Sequence, residues 1–462
     1  MRHKALRQYL NLIHSQRNNR RRESRRHVTT ALNTDMYEFT MLRSAVADGT
    51  ADKAATFEVF ARSLRNGNRY GVLAGTGRLL DAIEDYRLDT DTLDWLLDTG
   101  IIDPATREWI GDDWTFTGRI TGYREGELYF PNSPVLTVSG RFGEAVLLET
   151  LILSVLNHDS AVATKAARIR AAAGTRTVIE MGSRRTHEDA AVAAARATAI
   201  AGFDATSNLA AARAYGIKAV GTAAHAWTLA HRTEAATFDA QIAALGVDTT
   251  LLIDTYDIET GTREAIAAAR RAGRTGPGAI RIDSGDLALE SKRCRRILDE
   301  AGATTTRIVV SGDLDEHTIA TLTDAPIDGY GIGTKVVSGL TAPGFVYKLV
   351  EIADTNGMRP VSKEAEGKRT VGGRKRAWRE TTAHGHAAIE HVATPMGNAT
   401  PQCVGGELRN LIVELWDGSR TDRSTVADAR TVNAAAIAEL RDDALAVHPG
   451  TPTVLTIVTE PR

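Results

Sequence analysis

The chain has 462 residues, 43% of them apolar and 25% charged, and a formal net charge of −2. Such a length holds two or three domains, one of which can be a barrel of about 250 residues. The near-neutral balance excludes a global field that would draw the protein to nucleic acid or to a membrane. Cys294 and Cys403 form no zinc-type or CxxC pattern, which argues against a disulfide framework and makes a reducing cytoplasm the expected compartment.

Residues 1–27 are basic, with Arg20-Arg21-Arg22 and Arg25-Arg26 against Glu23 alone. Their apolar run, Leu10-Asn11-Leu12-Ile13, is too short for a signal peptide. They read either as a nucleic-acid-binding tail or as a disordered extension, and the second is favoured because no aromatic residue alternates with the arginines. The folded part begins near Leu32, where Asn33-Thr34-Asp35 caps a helix through Met41. Residues 55–60 alternate like a strand. Residues 79–110 are expected to be helical, and strands are expected near 115–121 and 134–138. Gly143 to Ala173 reads as one long helix, and no run of about 18 apolar residues predicts a membrane span.

From about residue 175 a rhythm starts, in which short apolar runs end in polar residues or glycine and Ala-rich helices separate them. The strand ends are Glu180, Asp204, Thr222, Asp254, Asp283, Ser311 and Gly331, which predicts seven βα units and a barrel. After Thr334 the rhythm fades into strands, loops and a helix over 427–446. The expected fold class is α/β. An irregular (β/α) barrel-like domain spans 146–339, and a composite α/β sandwich is built from 28–145 and 340–462. In such a barrel the polar residues at the C-terminal strand ends are the ones placed for chemistry.

The best phosphate candidate is Gly331-Ile332-Gly333-Thr334, with Gly312-Asp313 one unit earlier, because glycines let backbone N–H groups approach phosphate oxygens. No Walker loop is present. Arg184-Arg185 suits a carboxylate or phosphate, or is a solvated pair. Asp283 and Asp286 suit ribose hydroxyls or a magnesium ion, or cap a helix. The turn Asp204 to Asn208 precedes a short helix, with Ser207 or Asn208 as N-cap and Gly216 as stop. His225 follows the strand Ile217 to Val220, as an active-site base or as a core histidine.

Thr34-Asp35-Met36-Tyr37, Gly182-Ser183-Arg184-Arg185, Gly202 to Asn208, Gly221 to Trp227, Asp254-Thr255-Tyr256-Asp257, Arg281 to Asp286 and Gly331 to Thr334 resemble, in order, the motifs of nicotinate phosphoribosyltransferases. The resemblance covers about residues 30 to 380. It implies transfer of phosphoribose from phosphoribosyl pyrophosphate to nicotinate, giving nicotinate mononucleotide for NAD synthesis, coupled to ATP hydrolysis and assisted by Mg2+. It also implies a homodimer with shared sites. By the same resemblance His225 takes a phosphoryl group from ATP, Tyr37 stacks on the pyridine ring from the partner subunit, and Arg184, Thr206 and Ser207 face nicotinate. Asp283 holds the ribose, Gly312, Asp313, Gly333 and Thr334 hold the 5′-phosphate, and Lys348, Lys363 and Lys375 are further phosphate partners. The metal ligands are not specified. Met181 stands where the family pattern leads one to expect an aromatic ring. A nicotinamide phosphoribosyltransferase on the same fold and a nucleic-acid-binding protein using the basic tail are the competing readings.

Overall fold

The computed structural model describes residues 30–365, 370–394, 401–403 and 405–459. The basic segment 1–27 lies outside the described residues. A short 3-10 helix, Thr30–Leu32, leads into the helix Met36–Ala47, preceded by Asp35. Glu38 on this helix is fully buried; it accepts from the Thr150 N–H at 2.8 Å and from the Thr34 hydroxyl. That carboxylate ties the helix to the start of the long helix Glu149–Ala173. The strands of the N-terminal region are β1 (Ala54–Ala61), β2 (Gly71–Val72), β3 (Arg119–Gly122), β4 (Leu128–Tyr129) and β5 (Leu136–Arg141). The expected helical stretch 79–110 divides into Thr76–Glu84, Thr90–Asp98 and Pro104–Ile110. Asp89 and Asp103 cap the second and third of these.

The expected single helix over 143–173 is two, Phe142–Val146 and Glu149–Ala173. By length and composition this stretch is apolar enough to cross a membrane, but 67% of its most apolar window is buried inside the protein. It serves as a core element, with Ile152, Leu156, Val162 and Ile169 at 0% exposure.

Six parallel strands follow: β6 (Thr177–Glu180), β7 (Ala205–Thr206), β8 (Thr250–Leu252), β9 (Ala279–Ile282), β10 (Arg307–Ser311) and β11 (Gly329–Ile332). They form one sheet in the order β7-β6-β11-β10-β9-β8. The unit expected at Ile217–Val220 adds only one bridge, Thr206 to Ala219, carried by Thr206 N–H to the Lys218 carbonyl at 3.0 Å and Val220 N–H to the Thr206 carbonyl at 2.9 Å. The edges β7 and β8 do not pair with each other, so the sheet curves as a half-barrel and does not close. Helices pack on its outer face over Val178, Ile280, Ile282, Ile308, Val310 and Tyr330.

The C-terminal strands are β12 (Phe345–Asp354), β13 (Gly357–Pro360), β14 (Arg376–Thr381), β15 (Ala387–Ala393), β16 (Leu408–Asn410), β17 (Val413–Asp417) and β18 (Leu455–Thr459). β12, β13 and β17 complete a six-stranded sheet with β1, β5 and β3, as the composite sandwich expected. The remaining strands form a separate sheet in the order β16-β14-β15-β18. A buried charge network ties this sheet to the N-terminal region: Arg379, at 0% exposure, donates to Glu390 Oε2 at 2.6 Å and to the Leu128 carbonyl at 2.9 Å. The helix Val426–Ala438 packs on Glu188–Ile200, so the C-terminal segment touches the half-barrel as well as the N-terminal sheet.

Candidate active site

Side chains alternate along each parallel strand. In β9, Ile280 and Ile282 face the outer core, while Ala279, Arg281 and Asp283 face inward. In β6, Ile179 and Met181 face inward; in β10, Val309; in β8, Thr250 and Leu252. Ala205, Ala279 and Gly329 put small residues on this concave face among larger ones. The face encloses a cavity of about 720 Å³. Four of the expected residues line it together: Arg184, Ser207, His225 and Asp283.

The same alternation corrects one expectation. Ala205 and Ser207 face the cavity, so Thr206 between them points away, at 1% exposure. Its hydroxyl donates to Glu180 Oε2 at 2.5 Å and accepts from Asn208 N–H at 2.9 Å. Thr206 is a brace behind the wall. Glu180, fully buried, also accepts from the Gly182 N–H, and its carbonyl accepts from Ser207 N–H at 2.8 Å. Burial pushes the Glu180 carboxyl up, against the pull of Thr206 and Gly182. This one residue, which carried no role in the sequence reading, holds the Arg184 loop and the Ser207 turn in register. Of the two candidate caps, Asn208 serves: its side chain accepts from Ala211 N–H at 2.9 Å and its amide donates to Ser183 Oγ at 3.1 Å. Gly216 ends that helix with φ 67°, the left-handed conformation a helix stop needs.

His225 opens the helix His225–Leu229 with its side chain 41% exposed. Its Nδ1 lies 3.1 Å from Thr255 Oγ1, and its Nε2 lies 3.9 Å from Asp254 Oδ1. The Asp254 side chain is fully buried. Its Oδ2 accepts from the Asp283 N–H at 2.8 Å and from Ser284 Oγ at 2.7 Å, while Oδ1 has no hydrogen-bond partner among the described residues. Asp254 therefore joins the histidine to the Asp283 loop. Asp283 Oδ1 in turn accepts from Ser311 Oγ at 2.5 Å and lies 3.3 Å from the Arg281 guanidinium. A half-exposed imidazole, a fixed carboxylate, an arginine and a serine thus share one concave site at the C-terminal ends of a parallel sheet, the arrangement of barrel enzymes.

Models of the nicotinate phosphoribosyltransferase N-terminal domain and of the nicotinate phosphoribosyltransferase family match residues 32–157 and 177–371. The chain is 50% identical over 434 residues to nicotinate phosphoribosyltransferase pncB1 of Mycobacterium tuberculosis, covering 92% of this chain and 94% of that protein.

The chain belongs to the nicotinate phosphoribosyltransferase family.

It is also 39% identical to the nicotinate phosphoribosyltransferase of Bacillus subtilis over 77% of this chain and 74% of that protein. The crystal structure of human nicotinic acid phosphoribosyltransferase superposes with a TM-score of 0.80 at 25% identity, over 92% of this chain and 97% of that one. The mixed α/β architecture with a parallel half-barrel is thus the nicotinate phosphoribosyltransferase fold.

The remaining expected residues of this transferase fold lie outside the cavity. After β10, Gly312 takes φ 120° and Asp313 φ 47°, a turn that favours glycine at the first position, where a Cβ would also meet the Asp283 carbonyl at 3.0 Å. Gly333 precedes the short helix Thr334–Val337, and Thr334 lines a neighbouring cleft. Tyr37 is 45% exposed on the N-terminal helix. Its hydroxyl is pushed up to about 12, first by burial and then by the Glu149 carboxylate. Lys348 acts on the same Glu149, so Tyr37, Glu149 and Lys348 make one cluster; Glu149 was not among the expected residues. Lys363 is exposed on the loop before the undescribed residues 366–369. Lys375 is 6% exposed and donates from Nζ to Glu58 Oε2 at 2.7 Å. Expected as a free phosphate partner, it is already spent on a buried carboxylate. Among the described residues no three His, Cys, Asp or Glu side chains gather as a metal site.

Proposed function

We propose that the protein transfers phosphoribose from phosphoribosyl pyrophosphate to nicotinate in the cytoplasm, with ATP hydrolysis coupled through His225, and that it works as a homodimer. The observation that carries this reading is the convergence of Arg184, Ser207, His225 and Asp283 in one cavity of the family's fold. In the transfer, the pyridine nitrogen bonds to the anomeric carbon as the carbon–oxygen bond to diphosphate breaks, and that electron pair leaves with pyrophosphate. Arg184 and the Ser207 hydroxyl meet the nicotinate carboxylate, Met181 packs against the ring, and Asp283 accepts from ribose hydroxyls. In the coupled step, Thr255 holds Nδ1 of His225, and Nε2 attacks the γ-phosphorus of ATP. The N–P bond forms as the bond to the bridging oxygen breaks, and ADP leaves. Water later returns the histidine and releases phosphate. Bound magnesium would supply neutralisation of diphosphate charge.

Nicotinate is preferred over nicotinamide because the residues facing the base add a positive charge and a hydroxyl donor. A charged hydrogen bond left unmade costs about 1–3 kcal/mol, or about tenfold to a hundredfold in rate. The test is product analysis with phosphoribosyl pyrophosphate, ATP and each base in turn. Ser207→Asp should weaken nicotinate use most, through like-charge repulsion. Equal efficiency of the wild-type chain on the two bases would transfer the assignment to the amide.

A further inference from the structure

The strand β7 has two residues, Ala205 and Thr206, and its regular ladder is with β6 alone, Ile179 opposite Ala205 and Glu180 opposite Thr206. A strand this short makes few ladder bonds, so side chains must fix where it lies. Its downstream end is held by Glu180, through the Thr206 hydroxyl and the Ser207 N–H. Its upstream end is the turn Gly202-Phe203-Asp204, in which Gly202 takes φ 97°. Asp204 lines the cavity together with Ala205 and Ser207. Its Oδ2 accepts from the Val178 N–H at 2.9 Å and from Arg170 at 3.1 Å, and its Oδ1 accepts from Arg430 at 3.3 Å. Arg430 stands on the helix Val426–Ala438, 226 residues further along the chain. The same guanidinium donates to the Gly202 carbonyl at 3.2 Å, to the Phe203 carbonyl and to the Ala199 carbonyl at 3.4 Å. These carbonyls lie at and just past the C-terminal end of the helix Glu188–Ile200, where free acceptors and the helix dipole favour a cation. The helix that carries Arg430 is itself tightly seated. Asn433, 4% exposed, donates to the Gly126 carbonyl at 3.0 Å, and a Cβ on Gly126 would come within 2.1 Å of the Ala429 carbonyl oxygen.

We propose that Arg430 is a positioning residue for the base: through the Gly202–Asp204 turn it sets β7, and with it the place of the Ser207 hydroxyl on the cavity wall. A planar fork shared among three carbonyls and a carboxylate fixes a direction as well as a distance. Arg430 does not line the cavity, so its effect reaches the base through Ser207, three residues past Asp204. The proposal rests on the reading of Ser207 as a contact of the nicotinate carboxylate. That contact is made in the ground state and in the transition state alike, so its displacement raises the KM for nicotinate and keeps kcat. Asp283, expected at the ribose, follows β9, and three strands separate β9 from β7. The KM for phosphoribosyl pyrophosphate is therefore insulated from the turn.

The experiment combines steady-state kinetics with hydrogen exchange of the substrate-free full chain, on the wild type, Arg430→Gln, Arg430→Lys, Ser207→Ala and the double variant Ser207→Ala/Arg430→Gln. Arg430→Gln should raise the KM for nicotinate about tenfold, because a small misplacement of a contact is costly. Its kcat and its KM for phosphoribosyl pyrophosphate should stay within about twofold. Arg430→Lys keeps a cation beside Asp204 without the fork and should raise the nicotinate KM about threefold; as the milder change, it reads the same split if the Gln variant folds poorly. With no hydroxyl left to misplace, Arg430→Gln should add less than about twofold in the Ser207→Ala background. The peptide over residues 202–208 should exchange faster in Arg430→Gln, while the peptide over β10 exchanges as in the wild type. Arg423→Gln, at an exposed pair with Glu84 just before the same helix, should match the wild type throughout. An equal rise in the two KM values, full additivity with Ser207→Ala, or unchanged exchange of the turn overturns the proposal. A wild type that forms no mononucleotide would sink the transferase reading, and the exchange of the turn would still decide whether Arg430 sets it.

Discussion

His225 carries the most specific residue-scale expectation. Its imidazole is exposed enough for a nucleotide to reach, and Thr255 and Asp254 flank its two nitrogens. His225→Ala should abolish phosphoenzyme formation and ATP hydrolysis, read with labelled ATP, while leaving slow ATP-independent transfer; full coupling in that variant would exclude the histidine. Nearby, Glu234 opens the helix Glu234–Leu245 at 7% exposure, with Oε1 lacking a partner among the described residues. Burial first, and then Glu264, Asp257 and Asp254, push its carboxyl up to about 7. A carboxyl whose folded pKa is raised binds its proton more tightly in the native state. Between about pH 4.5 and 7 the folded protein therefore holds more protons than the unfolded chain, and stability falls as pH rises through that window. Glu234→Gln removes this loss. The variant should melt above the wild type at pH 8 and level with it near pH 4; a gap that is the same at both values would show that the carboxyl does not titrate in this way.

At the scale of elements, the separate C-terminal sheet carries a buried charge network beside its apolar contacts. Arg379 on β14 meets Glu390 on β15 and lies 3.3 Å from Glu127 near β4, all three nearly or fully buried. Tyr123 donates to Glu390 Oε1 at 2.7 Å from the far side. Removing the guanidinium leaves the buried Glu390 without a cation, while Glu127 keeps Arg409 at 2.6 Å, and breaking such a buried pair costs about 3–5 kcal/mol. Arg379→Ala should lower the urea midpoint by that amount of stability, whereas removing the exposed pair Arg263–Glu259 should change it by less than about 1 kcal/mol. A small effect at Arg379 would mean that the sheet is held by other contacts.

For the whole molecule, the cluster of Tyr37, Glu149 and Lys348 does not line the cavity of its own chain. Leu209, Trp227, Leu229 and Tyr256 are exposed on segments that border or flank the cavity mouth. Both facts support a dimer in which Tyr37 of one subunit completes the site of the other. If so, Tyr37→Ala and His225→Ala, each inactive in ATP-coupled transfer, should regain activity on mixing. Random reassortment gives half the dimers one intact site, or about a quarter of the wild-type rate. No recovery after full subunit exchange, or a fully active monomer on dilution, would refute the shared site.

Some of this protein was readable from residues alone. The strand ends from Glu180 to Gly331 are marked by apolar runs that stop at polar residues, a local signal that survives without knowledge of partners. The cap and stop of the helix Leu209–Tyr215 are local for the same reason: Asn208 and Gly216 act within one turn of themselves. Alternation could even have placed Thr206 behind the wall, since period two is fixed by the backbone. The rest required the fold. Whether β7 and β8 close a barrel depends on sheet curvature summed over six strands, which no window of sequence contains. Lys375 looked like a free cation because its partner, Glu58, is far away along the chain. Glu149 carries no motif, and only the packing of distant segments gives it a tyrosine to face. Sequence set the chemistry of each strand end; the tertiary structure decided which charges were spent on each other and which were left for a ligand, because pairing is a property of distances in space.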